Sequence, residues 1–442
     1  MSAPSTVAAN DRHAAYNKSR IFLVSVLALV TAGISSSLRT SIASDLQRVF
    51  FDPIDHLNSA TMVGSVLGVA FLGFALTIAI GSPLLDALGM NRLLPLSSLC
   101  FMGGTLIVTF AGNLAQGAGV YRVVWFGMVL IGMGWGLTET VINPLTTTLY
   151  PEEKTARLNV LHAWWPGGLI IGGLAGLLLD QFHMNWQVKL CLTLLPAIIT
   201  FVMCFGVKFP PTERVAAGVS FGGMFRQLMK PMFIVWFLAM FLTAASELAP
   251  GQWVDLALTR TVGMRGIWLL IYVSGLMFVM RHFAGRLAHK LSPVGLLWIS
   301  CLLASVGLLL LSVANSPITS ILAATVWGTG VCYMWPTMLA TASERFPRGG
   351  ALLMGLMGTA GTLSIYFVLP AMGRIFDSTK IQAAGGDAAF NALQGDALNR
   401  VLGIASQTSF RDVALLPAIL LLVFGAIWLY DRSRGGYKAE KI

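Results

Sequence analysis

Apolar residues run in blocks of about twenty along almost the whole chain, separated by short polar segments. Each block is long enough to cross a hydrocarbon core of ~30 Å. They predict helical spans over roughly 19–45, 59–81, 93–112, 121–148, 159–179, 188–207, 231–249, 265–285, 294–314, 318–342, 350–374 and 412–430. Backbone groups in lipid must be satisfied within the structure, and continuous apolar runs select helices over a closed barrel. The fold class is therefore an all-α membrane protein of twelve transmembrane helices. An even number of spans puts both termini on one side.

The longest internal linker, 208–230, contains Pro210, Pro211, Gly218, Gly222 and Gly223. It divides the chain into an N-terminal half, 1–207, and a C-terminal half, 231–442, with six spans each. At one common offset Trp135 matches Trp327, Gly136 matches Gly328, Pro144 matches Pro336 and Glu152 matches Glu344. Two pseudo-symmetric halves of this kind are a common construction in transporters.

Composition agrees: 56% of residues are hydrophobic and 11% charged, against about 25% charged in soluble domains. A net charge of +10 would point to nucleic acid in a soluble chain. Here Lys208, Arg214, Arg226 and Lys230 in the linker, and Arg432, Arg434, Lys438 and Lys441 in the tail, follow the positive-inside rule. The expected location is the inner membrane, multi-pass, with both termini cytoplasmic, no cleaved leader and no nucleic-acid partner. The five cysteines fall inside apolar runs without metal-ligand spacing, so they read as small apolar fillers. No phosphate-cradling glycine loop, nucleotide-binding domain or metal cluster is present in the sequence, which leaves gradient-driven transport over ATP-driven transport.

The most informative polar positions interrupt the fourth block. Trp135, Glu139, Asn143 and Thr147 recur every four residues, so one helix stripe carries all four. A carboxylate at the centre of a span costs about 2.5–3.5 kcal/mol on insertion scales and normally faces a cavity or a partner. The stripe either lines a transport pathway or holds a hydrogen-bonded structural carboxylate.

Two segments carry a family resemblance. The loop after the second span, with Asp86, Gly89 and Arg92, resembles the signature loop of the major facilitator superfamily. Ser82 replaces its opening glycine, and His289 occupies the acidic position of the second-half copy. The segment Glu139-Thr140-x-x-Asn143-Pro144, with Arg157-Leu158-Asn159 after it and Trp335-Pro336-Thr337 in the tenth span, resembles the fucose permease branch of proton-coupled sugar symporters. The resemblance implies Glu139 as proton carrier, and Asp86, Gly89 and Arg92 as a cytoplasmic gate. The aspartate of the family's first span falls here on Thr40, with Arg39 beside it.

Arg39 has three readings: pairing with Glu139, holding a substrate anion, or snorkelling to the interface. Pro250-Gly251 is expected to interrupt the seventh span, placing Glu247, Gln252 and Trp253 where substrate hydroxyls and a ring face are contacted. Tyr272, Tyr333 and Thr337 add polar and aromatic positions, and Trp164 and Trp165 add further aromatic candidates. His162 reads as a structural histidine, while Arg281 and Arg286 read as positive-inside residues. Residues 375–411 are expected to form a long outer loop with a short amphipathic helix.

The expected function is proton-coupled symport of a sugar or sugar derivative by a monomer in the bilayer, through alternating access. No cofactor is expected; H⁺ is the coupling ion, with Na⁺ as the alternative. The competing reading is a proton-driven exporter of amphipathic or drug-like compounds.

Overall fold

The computed structural model describes residues 16–55, 59–262 and 266–441, and all regular structure among them is helical. Span 1 is Lys18–Ser41, span 2 Ser59–Leu88, span 3 Met90–Thr109, span 4 Ala118–Leu149 and span 5 Lys154–Gln181. Span 6 comprises Trp186–Cys191 and Leu194–Met203. Two short helices, Glu213–Ala216 and Phe221–Arg226, cross the segment between the halves. Span 7 is Pro231–Val262, span 8 Gly266–Arg281 with Ala284–Leu291, and span 9 Pro293–Leu311. Span 10 is Pro317–Val331 with Met334–Arg345, span 11 Gly350–Ala384, and span 12 Leu415–Ser433. Among the described residues eleven helices are long and apolar enough to cross a membrane, and span 8, bent by 64° between Arg281 and Ala284, makes a twelfth when its two parts are taken as one span.

Within each group of six, spans meet backbone to backbone at glycines. A Cβ on Gly104 of span 3 would lie 2.6 Å from the Gly127 carbonyl oxygen of span 4, and one on Gly168 of span 5 would lie 2.6 Å from the Val30 carbonyl oxygen of span 1. Small residues let helices approach this closely where lipid gives no hydrophobic drive for association. Between the groups, span 5 faces span 8 and span 2 faces span 11, and most of the nearest atoms are side chains, although a Cβ on Gly355 would also lie 3.2 Å from the Ile78 carbonyl oxygen. The Phe278 ring sits 3.1 Å from a Cβ on Gly167, and Ile78 Cδ1 2.7 Å from one on Gly358.

Two expected loops are helical. Span 7 runs through Pro250 without a break to Val262. Residues 375–411 form not a loop but the last turns of span 11, a short helix Asp387–Ala392 and a long helix Gly395–Val413 leading into span 12 at Ala414. The sequence of that region lacks a continuous apolar run. Its helix Gly395–Val413 buries one face, with Val401, Ala405, Ser409 and Phe410, and leaves the other polar.

Gly104→Val should force spans 3 and 4 apart, since the facing atoms are backbone and cannot rotate away. Overpacking of this kind costs about 1–3 kcal/mol. The thermal unfolding midpoint of the detergent-solubilised protein should fall; an unchanged midpoint would mean the seam can yield.

Candidate functional site

Prolines inside spans shape the site. A proline has no N–H and cannot bond the carbonyl four residues before it, so that carbonyl needs another donor. In span 10 Pro336 frees the Cys332 carbonyl, and the helix breaks at Cys332–Tyr333. In span 5 Pro166 frees the His162 carbonyl, and in span 7 Pro250 frees the Ser246 carbonyl. The Trp327 indole of span 10 donates to Ser246 at 3.2 Å, which lets span 7 continue.

Arg281 of span 8 takes the other two. Its Nε donates to the Cys332 carbonyl at 2.6 Å and its Nη1 to the His162 carbonyl at 2.8 Å. The remaining Nη2 donates to Glu247 Oε1 of span 7 at 2.8 Å. The second oxygen of Glu247 accepts the Trp335 N–H at 3.1 Å, a donor left free by the break. Both side chains are buried, so the pair is compensated by charge and by backbone together.

The first six spans supply a second polar cluster. Asn143 donates to the Glu139 carboxylate at 2.6 Å and to the Glu139 carbonyl at 3.1 Å. Its Oδ1 lies 2.9 Å from His162 Nε2, which is 3.9 Å from Glu139 Oε2. Beside it stands an aromatic wall. The Phe74, Trp135 and Trp165 rings stack in sequence, with centroids 4.7 and 6.0 Å apart and planes within 19°. The Trp165 indole nitrogen is buried and without a hydrogen-bond partner, while the Trp135 indole lies within reach of the Glu139 carboxylate. Glu139, His162, Glu247, Arg281, Trp335 and Thr362 line one central cavity with this wall. A second cavity, between Ser36, Ser37 and Thr40 of span 1 and Ile271, Ser274 and Trp327, lies on the side away from the linker.

On the linker side the two groups of spans are bonded together. Asn159 donates to Thr337 at 3.2 Å, and Thr155 to Glu344 at 2.7 Å. Glu344 also accepts the Tyr437 hydroxyl of the tail. Burial first, and then the Glu344 carboxylate, hold that hydroxyl proton on well above the ordinary tyrosine range.

Of the positions singled out in the sequence, Trp135, Glu139, Glu247 and Trp335 line the central cavity. Asn143 and Thr337 are buried beside it as hydrogen-bond partners. Tyr333 is buried and donates to the Met280 carbonyl at 3.1 Å. Tyr272 does not reach the cavity: it is 40% exposed and bonded to Thr325 at 2.7 Å. The side chains of Gln252 and Trp253 lie outside the described residues.

Arg39 is 4% exposed and donates to the Ser35 carbonyl of its own helix at 3.3 Å. It neither snorkels nor, among the described residues, pairs with Glu139. Asp86 accepts from Arg214 and, at 2.7 Å, from Thr212, both in the linker, rather than from the second six spans. Gly89 turns between spans 2 and 3 at φ +84°, and Arg92 is exposed.

Two contributors were missed. Arg281 is a buried organising cation rather than a positive-inside residue, because the bend of span 8 places it inside the protein. His162 joins the Glu139 cluster, which no sequence spacing announces.

The family profile described as Major Facilitator Superfamily matches residues 21–368. A myo-inositol transporter of Candida albicans is 25% identical over 192 residues, covering 42% of this chain and 31% of its own length. The match thus spans about a third of that relative. The proton:xylose symporter XylE superposes with a TM-score of 0.72 at 14% identity, covering 93% of this chain and 96% of its own. The E. coli fucose:proton symporter FucP does so with a TM-score of 0.65 at 16% identity, covering 90% and 98%. At these identities the superpositions establish the fold.

Removing one member of the Arg281–Glu247 pair leaves a lone buried charge. Arg281→Met should cost about 3–5 kcal/mol, seen as a lowered unfolding midpoint in detergent. Adding Glu247→Leu should recover part of the loss, with the two freed carbonyls accounting for the remainder. A double variant as unstable as the single would show that the charge is not the cause.

Proposed function

Because the chain belongs to the major facilitator superfamily, we propose that it is a secondary transporter that moves a sugar or cyclic polyol by alternating access, coupled to protons through Glu139. The observation that carries this reading is the central cavity. It places a buried carboxylate, hydrogen-bonded by Asn143 and beside His162, against a wall of three stacked rings.

Aromatic rings suit the apolar face of a sugar, and the buried, unpartnered indole N–H of Trp165 is a donor for one of its hydroxyls. Glu139 contributes an acceptor when ionised and a donor when protonated. Related proteins named for myo-inositol, xylose and fucose point the same way. The bonds on the linker side close one face, and the second cavity leads toward the other. We assign the linker face to the cytoplasm of an inner membrane, because the basic linker and tail both lie there.

Coupling requires Glu139 to exchange its proton with one side and then the other as the faces alternate. Glu139→Gln preserves shape and hydrogen bonding but cannot titrate. In proteoliposomes it should abolish uptake driven by a pH gradient and keep counterflow at equal pH. Loss of both activities would make Glu139 a substrate ligand; survival of both would move coupling elsewhere. An imposed sodium gradient in the same vesicles separates Na⁺ from H⁺.

The aromatic wall generates its own expectation. Trp165→Ala should weaken sugar binding by about tenfold or more, and Trp165→Phe, which keeps a ring but loses the indole N–H, by less. Binding titrations with xylose, fucose and myo-inositol check this. Equal affinity of the alanine variant and the parent would remove the wall from the binding site.

A further inference from the structure

Three residues of span 5 cross to the second half, and they lie on one helix stripe: Thr155, Asn159 and His162. Thr155 and Asn159 reach span 10 through side chains. The third tie differs in kind, because His162 offers its backbone carbonyl and the donor is Arg281 of span 8. It is also the deepest of the three, since both residues line the central cavity.

The acceptors of Arg281 divide by half. Glu247 and Cys332 belong to the same six spans as Arg281 itself, and Cys332 is fully buried there. The His162 carbonyl alone belongs to the other six. It has no donor in its own helix because Pro166 supplies none, and it borders the cavity, where water can replace a lost partner.

We propose that Arg281 is the positioning residue that holds the linker face shut beneath the cavity. Its bond to the proline-freed His162 carbonyl breaks when that face opens. Its bonds to Glu247 and to the broken end of span 10 stay intact and travel with span 8. The tie rests on the alternating-access reading above and adds to it the element that sets the balance between the two states.

Two conservative substitutions weaken this bond from opposite sides. Arg281→Lys retains the charge opposite Glu247, but a single ammonium cannot reach all three acceptors. Pro166→Ala restores an N–H within span 5, so the His162 carbonyl gains a donor inside its own helix that competes with Arg281 and weakens that bond. Spin labels at Glu152→Cys and Lys290→Cys, exposed positions facing each other across the linker-side cleft, report opening by pulsed dipolar distance measurement in nanodiscs.

Each substitution should raise the open-to-closed ratio by about tenfold, the scale of one charged hydrogen bond. The double variant should fall clearly short of the two single shifts combined, because both act on the same bond. Unchanged distance distributions, or fully additive shifts, would overturn the tie while leaving alternation in place. Absence of an open population in the parent and in every variant would remove alternation and the tie with it.

Discussion

A carbonyl without a donor is the constraint on which this structure depends. In water a proline-freed carbonyl is solvated at little cost, but inside a span it must find a donor from the protein or from a wet cavity. Pro166, Pro250 and Pro336 each create such a carbonyl, and a side chain from another span answers each one. These prolines therefore dictate where spans 5, 7, 8 and 10 meet, and their partners fix the spacing. Span 7 stays straight and span 10 breaks, although both contain a proline. At Ser246 an indole answers the carbonyl alone, whereas at Cys332 the arginine and Glu247 take the freed carbonyl and the freed N–H together.

The charges are arranged to match. Glu247 and Arg281 are buried as a pair whose remaining valences are filled by backbone, the condition under which a buried ion pair is tolerated. Glu139 is handled differently: its partners are an amide and an imidazole, neither of which cancels its charge permanently. One carboxylate is thus paired with a fixed charge, and the other has only hydrogen-bonding neighbours among the described residues. The same cavity holds both because each six-span group contributes one.

The sequence made the fold legible because lipid allows so few solutions. Continuous apolar runs, an even number of them and a basic linker at the middle leave little else. It also exposed Glu139 and Asn143, since residues four apart on one helix meet regardless of what surrounds them. Contacts between spans were a different matter. Arg281 falls near the end of the span expected over 265–285 and reads as a positive-inside residue, whereas in the structure it is buried and bonded to three acceptors. Tyr272 sits on a span that lines the cavity elsewhere, yet its own face looks outward, and nothing in its neighbours shows which face that is. Pro250 was expected to break span 7, because the indole that rescues it comes from a residue 77 positions later, Trp327.

The two kinds of helix seam differ in stiffness. Where Gly104 meets Gly127 or Gly168 meets Val30, main chain rests on main chain, and any sliding must deform covalent geometry or separate whole helices. Where span 5 meets span 8, or span 2 meets span 11, the touching atoms include the Phe278 and Ile78 side chains, which can turn about single bonds, beside the fixed Cβ atoms of Ala156 and Ser82. The seams inside each group of six are thus built more of main chain than the seams between the groups. The placement of the glycines, as much as that of the polar residues, sets how closely each pair of spans can pack.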